Sequence, residues 1–296
     1  MTFRHYVRKI IPTPFRSFLG GLRRKVIANP LRVRLQRDRL LKSSALSATQ
    51  RALLQQVNIN LHYRDGMYAG NGEHYFRVGL SALECIEKVI ANVDSIDIEN
   101  VLDLPCGYGR ELRFMVQQFP QTSFTACDIQ RDAVDFCART FGADAAYSDP
   151  DIRKVSFPRK FDLIWCGSLV THLNRRDAGN LLKLFSDHLN PNGVVIVTTH
   201  GSFVAGRMQA GANYDLPRAA ITSLLQEYEA TGYGYHDYSP GEGFFDFHPC
   251  GTGYGISLTS PDSICSLAEK SGLKHQCFLA RGWANHQDVF AFTRSS

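Results

Sequence analysis

Three features of the sequence predict an α/β fold with a mainly parallel, doubly wound sheet. They are short continuous apolar runs of strand length, helical patterns between them, and a glycine turn that closes the first strand–helix unit. Strands that are apolar throughout, instead of alternating, are buried on both faces, and a parallel sheet covered by helices meets that demand. The totals agree: 296 residues, 44% hydrophobic and 21% charged, describe a globular chain with a substantial core. One α/β domain with additions suits that length.

The elements follow in order. Residues 1–45 form a basic N-terminal extension, broken by Pro12, Pro14, Gly20-Gly21 and Pro30, in which Leu31–Leu41 reads as a short basic helix. The main domain is expected over 46–296. Its first part is helical, with Ser81 placed as the N-cap of a helix over Ser81–Ala91. Val101–Leu104 is the first strand, followed by a glycine turn and a helix near Arg110–Phe119. Strand Ser123–Asp128, helix Arg131–Phe141, a weak strand Ala143–Tyr147 and strand Phe161–Cys166 come next. Helix Asp177–Leu189, a turn at Pro191-Asn192-Gly193 and strand Val194–Thr199 continue the alternation. Residues 201–256 break it. Their density of Gly, Tyr and Phe reads as an ordered insertion, a cap with hairpin-like turns. Thr259/Ser260 then cap a helix near Pro261–Ser271 that Gly272 ends, and Lys274–Ala280 and Gln287–Thr293 follow as two strands.

Charge and cysteine usage narrow the class. Residues 1–45 hold 12 Lys/Arg and one acid, Asp38, so the remainder carries 21 basic and 27 acidic residues. A basic arm on a mildly acidic body suits an anionic membrane surface or a nucleic acid, unless the arm is simply solvated. The eight cysteines form no CxxC pair and lie mostly in apolar stretches, which predicts reduced, buried thiols and no metal site. No apolar run reaches the ~18 residues of a membrane helix, and the charged N-terminus lacks the apolar centre of a secretion signal. The expected location is cytoplasmic, with a peripheral position at the inner membrane face compatible with the basic arm.

The chemistry concentrates in Val101–Arg110, VLDLPCGYGR. Gly107 and Gly109 let the backbone turn tightly and approach a ligand at the carboxyl end of the strand. Asp103 adds a carboxylate suited to a cationic amine. The next strand ends in Asp128, where nucleoside-binding α/β folds place the acid that holds a ribose diol. The dinucleotide pattern G-x-G-x-x-G is missing, since Pro105 stands where its first glycine would be. A nucleoside with an amino-acid tail is therefore expected over a pyrophosphate, and a dehydrogenase is disfavoured.

These segments resemble the class I S-adenosylmethionine-dependent methyltransferase family. VLDLPCGYGR is similar to its first motif, ACDIQRDAVDFC to its second, FDLIWCGSLVTHL to its fourth-strand motif, and LNPNGVVIVTT to its turn into the fifth strand. The pieces come in the family's order over roughly residues 70–293, and RGWANHQDVFAF resembles the antiparallel last strand of its seven-stranded, Rossmann-like sheet. The resemblance implies S-adenosylmethionine as cofactor. It implies that Asp103, Pro105, Cys106, Gly107 and Gly109 line the methionine moiety and that Asp128 binds the ribose. Ile129 would pack on the adenine, Asp149 reach its amine, and Cys166, Gly167 and Ser168 face the methyl donor. Pro105 and Cys106 depart from the more usual glycine and small residue.

Methyl transfer to a hydroxyl is aided by a base, and histidine is the side chain suited to that task near neutral pH. His172, His200 and His286 fall at the expected carboxyl ends of strands or in the last turn; His236 and His248 lie in the insertion. For each, a merely packed or exposed histidine is the competing reading. Tyr233, Tyr235, Tyr238, Phe244, Phe245 and Tyr254 either stack on a flat substrate or form the insertion's own core. The expected activity is methylation of an oxygen, ahead of a nitrogen, on a small molecule or glycan. HYFRVGLSAL, GYGISLTSP and RGWANHQDV resemble methyltransferases of bacterial polysaccharide and glycolipid pathways. The alternatives are an RNA methyltransferase using the basic arm, disfavoured by the acidic body, and a non-catalytic cofactor-binding or membrane-surface scaffold.

Overall fold

The computed structural model of the chain describes residues 28–93, 96–238 and 253–295. It divides into two compact units, Met1–Arg77 and Val78–Ser296. In the first unit the basic stretch forms helix α1 (Pro30–Leu41), opened by the Asn29 side chain accepting from the Leu31 N–H. A reciprocal Ser47–Gln50 capping box opens α2 (Ala48–Gln56). The Gln36 amide fastens the loop that follows: its Nε2 donates to Gly70 O at 2.8 Å, while its Oε1 accepts from Tyr68 Oη at 2.6 Å and Gly72 N at 3.0 Å. Val33 and Leu40 are buried, whereas Leu31 and Leu35 stand 70% and 61% exposed.

Helix α3 (Gly72–Ile90) runs from the first unit into the second. It begins well before Ser81, so that serine is not an N-cap. It lies inside the helix, and its hydroxyl accepts from the Ala284 N–H at 2.8 Å. The second unit continues with β1 (Asn100–Asp103), α4 (Leu112–Gln118), β2 (Ser123–Asp128), α5 (Arg131–Phe141), β3 (Asp144–Tyr147), β4 (Phe161–Cys166) and α6 (Arg175–His188). There follow β5 (Leu189–Thr199), α7 (Ser202–Gln209), α8 (Arg218–Thr231), β6 (Tyr233–Asp237), β7 (Gly255–Thr259), α9 (Pro261–Lys270), β8 (Leu273–Trp283) and β9 (Gln287–Arg294). Strand β5 starts at Leu189, so Pro191-Asn192-Gly193, expected as a turn, lies within the strand, where its pairing with β4 shifts register.

Seven strands form one sheet in the order β3-β2-β1-β4-β5-β9-β8, with β1 to β5 parallel and β9 antiparallel to both neighbours. Alternate residues of each inner strand feed two separate cores. Leu102, Ile164, Cys166, Val195 and Val197 pack with α6 and α9, while Val101, Leu163, Trp165, Val194 and Ile196 pack with α3, α4 and α5. Burial on both faces is why these strands read as unbroken apolar runs. Chain order reverses between β1 and β4, and in open α/β sheets that switch point opens a crevice at the strands' carboxyl ends.

The insertion builds a cap with its own small core: Val204, Met208, Leu216, Leu224, Ile256 and Leu258 pack together, and β6 pairs antiparallel with β7. Phe244, Phe245, His248 and Cys250 lie outside the described residues. The other seven cysteines are free, five of them buried. Among the described residues no helix is long and apolar enough to cross a membrane.

Candidate functional site

At the switch point β1 delivers Asp103, which is 0% exposed and has no hydrogen-bond partner on either carboxylate oxygen. Burial pushes its carboxyl well above the usual value of 3.8; nearby Glu111, Cys137 and Asp128 add to the rise, and Arg110 opposes it. A buried, unpartnered carboxylate is costly, and a bound cation would relieve that cost.

The turn that follows separates its two glycines. Gly107 has φ 46°, and a Cβ there would meet no atom within 4 Å, so the turn presents bare backbone to open space. Gly109 has φ 72°, and a Cβ there would sit 2.4 Å from Phe141 Cε2, so this glycine is demanded by the packing of α5. Arg113, fully buried, holds the turn from below: its Nε donates to Gly109 O at 2.9 Å and its Nη2 to Tyr108 O at 3.2 Å. Sequence reasoning passed over Arg113, although a lone arginine inside the apolar run LRFMV was its signal. Leu104–Pro105 is a cis peptide.

Asp128 ends β2 and faces this turn. Its Oδ2 accepts from Gly107 N at 2.9 Å and its Oδ1 from Gln130 N at 2.8 Å. Burial raises its pKa, and the N–H groups of Gln130, Gly107 and Ile129 oppose the rise. A carboxylate offers about four lone-pair sites, so with three N–H donors one remains for a diol hydroxyl. Ile129 beside it is half-buried. Asp149 Oδ1 accepts from Asp151 N at 2.8 Å, whereas Asp151 is paired with Arg153 at 2.7 Å. Of the two carboxylates only Asp149 stands clear of that ion pair.

Cys106 and Cys166 are placed in the two cores, and burial pushes both thiols up. These positions thus offer a ligand their main chain, not their sulfur. At Gly167 a Cβ would lie 2.9 Å from Trp165 Nε1 and 3.1 Å from Trp283 Cη2. Ser168 adopts φ 65°, a left-handed conformation unusual for a residue with a side chain. A polar network fixes it: Ser168 N donates to Thr198 Oγ1 at 2.7 Å, Thr198 Oγ1 to Gln287 Oε1 at 2.6 Å, and Gln287 Nε2 to Ser168 Oγ at 2.9 Å. The loop after β4 is thereby tied to β5 and β9.

The structure brings His172, His200 and His286 together, although they come from three elements. His200 follows β5 and is buried, with Nδ1 unpartnered. Its ring lies 5.7 Å from the His286 ring and 5.7 Å from that of Tyr214. Tyr214 Oη and His286 Nε2 are 3.4 Å apart. His172 Nδ1 donates to Gly255 O at 2.8 Å, and its ring stacks on Tyr254 at 4.8 Å. Burial holds His200 well below the usual histidine range, with His172 and His286 adding to the fall. His286 is also held down, by burial first and then by the Arg207 and Arg281 guanidiniums. His236 is elsewhere, its Nδ1 donating to Asp237 O at 2.7 Å. Among the described residues no group of His, Cys, Asp or Glu is placed to hold a metal ion.

The aromatic residues divide. Tyr233 is buried in the sheet's core, its hydroxyl donating to Leu173 O at 2.8 Å, and Tyr235 packs against that core. Tyr238 and Tyr254 instead face His172. Tyr214 had no signal in the sequence, because its neighbours in space are far along the chain.

Residues 101–193 match the family model described as a methyltransferase domain. The malonyl-[acyl-carrier protein] O-methyltransferase of Acetivibrio thermocellus is 23% identical over 124 residues, 39% of this chain and 43% of that protein. Methyltransferase ungE' of Aspergillus campestris is 33% identical over 86 residues, covering 26% of this chain and 25% of its own. The chain thus spans less than half the length of these curated relatives. Among solved structures, the sugar N-methyltransferase KedS8 from Streptoalloteichus sp aligns with TM-score 0.51 at 13% identity, covering 77% of this chain and 91% of its own. Streptomyces venezuelae DesVI aligns with TM-score 0.50 at 16% identity, covering 74% and 93%. The likeness to these structures shows the fold, that of class I methyltransferases, and residues 101–193 match a methyltransferase domain.

Proposed function

We propose that this chain transfers a methyl group from S-adenosylmethionine to an oxygen, ahead of a nitrogen, of a small-molecule or glycan acceptor. The observation that carries the reading is Asp103, a buried carboxylate without a partner beside the open backbone of Gly107. Those residues fit the cofactor: a carboxylate for its ammonium, a bare turn for its amino-acid tail, and Asp128 for its ribose hydroxyls. The relatives whose names specify an acceptor atom include an O- and an N-methyltransferase, so the choice of oxygen rests on the histidine cluster.

When bound, S-adenosylmethionine supplies an electrophilic methyl group on a sulfonium. The chain's residues supply alignment, desolvation and a place for the acceptor's proton. Ser168, locked to Thr198 and Gln287, fixes the loop between the cofactor turn and the histidines. His286 is half-buried and held neutral, so its imidazole accepts the hydroxyl proton, with Nε2 the nitrogen next to Tyr214. His200, buried behind it, orients that ring, and Tyr238 and Tyr254 flank the acceptor with aromatic surface.

Calorimetric titration with S-adenosylhomocysteine, with NADH as control, tests the reading. Micromolar binding of the former alone, about −8 kcal/mol, is expected. Binding of neither overturns it in favour of a scaffold.

For the first unit, the partner we infer is an anionic membrane surface, which would place the protein peripherally at the inner membrane face. Leu31 and Leu35 project from α1 one turn apart, and Arg32, Arg34 and Arg39 stand exposed on the same helix. Apolar residues flanked by guanidiniums are the pattern that seats a helix among anionic headgroups.

A further inference from the structure

The cap and the last hairpin of the sheet each place a guanidinium near His286, and among the described residues neither is in an ion pair with a carboxylate. Arg281, on β8, lays its guanidinium over the Phe203 ring at 4.0 Å. Its Nε and Nη2 donate to Asn285 O at 3.3 and 3.2 Å, which fixes it to the turn that carries His286. Phe203 meets His286 edge-on at 5.7 Å. Arg207 lies four residues after Phe203 on α7, so the two share a face of that helix, and Arg207 is exposed. The carboxylate in this neighbourhood is Asp288. It is buried, its Oδ1 accepts from the Arg281 main-chain N–H at 2.7 Å, and its Oδ2 is turned toward Gly201.

We propose that the acceptor of this methyltransferase carries an oxyanion, a carboxylate or phosphate, that Arg207 and Arg281 bind so as to present a neighbouring hydroxyl to His286. This rests on the methyl-transfer reading and adds to it the chemical class of the substrate. Guanidiniums suit the task, since their planar N–H forks bind carboxylate and phosphate through paired hydrogen bonds. Stacking on Phe203 keeps the Arg281 fork in place before the ligand arrives, which lowers the ordering cost of binding. The arrangement also couples binding to basicity. In the free protein both cations disfavour protonation of His286. An oxyanion seated between them cancels that field, so His286 becomes a better proton acceptor once the acceptor is bound.

The other groups facing His286 are His200 at the end of β5 and Tyr214 from the segment between α7 and α8, and neither carries a charge at neutral pH that would mimic the effect. Sulfate is a suitable probe because its charge is constant across histidine's titration range. His286 would be followed by its ring proton resonance, assigned by its loss in His286→Asn. At matched ionic strength, replacing chloride by sulfate should raise the His286 pKa, and acetate serves as the carboxylate arm. The double variant Arg207→Gln/Arg281→Gln should start from a higher His286 pKa and show no response to either anion. A parent protein that ignores both anions, or a double variant that responds as the parent does, overturns the proposal. S-adenosylhomocysteine binding, measured on the same samples, separates the two readings. If it persists without an anion response, only the oxyanion fails, whereas its loss in the parent overturns methyl transfer itself.

Discussion

Asp128 ties the glycine turn after β1 to the start of α5: its carboxylate accepts from Gly107 on one side and Gln130 on the other. Removing it takes away a charged acceptor, and hydrogen bonds to charged groups are each worth about 1.5–3 kcal/mol. Asp128→Ala should therefore weaken S-adenosylhomocysteine binding roughly ten- to hundred-fold, read by calorimetry on protein whose circular dichroism is unchanged. Equal affinity would remove Asp128 from the site. Residues of this kind were legible in the sequence because strand ends and glycine turns are local patterns. The roles of Gly107 and Gly109, by contrast, were not distinguishable there. Both sit in the same motif, yet one faces open space and the other Phe141, and only the position of α5 decides between them.

Elements with a strong period were read closely, and their caps less well. Ser123–Asp128, Arg131–Phe141 and Phe161–Cys166 coincide with β2, α5 and β4. Ser81 misled because serine is a common cap, whereas here its hydroxyl is used in a tertiary contact with the last turn of the sheet. Helix α7 gave little warning, since Ser202–Gln209 mixes glycine, arginine and apolar residues without a clear stripe. The helix α1 carries its own prediction. Its two leucines are exposed while Val33 and Leu40 hold it in place, so the exposed pair can be changed without loss of the core. Leu31→Ser/Leu35→Ser should reduce co-sedimentation with vesicles containing anionic lipid, and neutral vesicles should bind neither form. Undiminished binding by the variant would rule out insertion of this face, and binding of RNA in place of vesicles would favour the arm's other partner.

At the scale of the whole molecule, the doubly wound sheet was legible because its strands are apolar on both faces and its motifs occur in chain order. The histidine cluster was legible only in part. Each ring could be placed at a strand's carboxyl end, but their meeting with Tyr214, Phe203 and two arginines depends on how the cap folds back on the sheet. One consequence belongs to the fold as a whole, since a buried unpartnered charge is a cost borne by global stability. The folded protein keeps a proton on Asp103 above the pH at which the unfolded chain, near 3.8, releases it. Stability from this group is therefore greatest at low pH and falls as pH rises from the unfolded toward the folded value. Asp103→Asn removes that dependence, so the difference in melting temperature between variant and parent should grow in the variant's favour as pH rises above about 4. Ligand binding should move the other way. Asparagine lacks the charge that a ligand ammonium would neutralise, so the variant should gain less thermal stability from S-adenosylhomocysteine than the parent does. For the parent that gain is about 2.7 kcal/mol at a hundredfold excess over Kd. A variant more stable alone yet less stabilised by the ligand identifies Asp103 as the cofactor's counter-charge, whereas an equal ligand response would make it a structural acid with no part in binding.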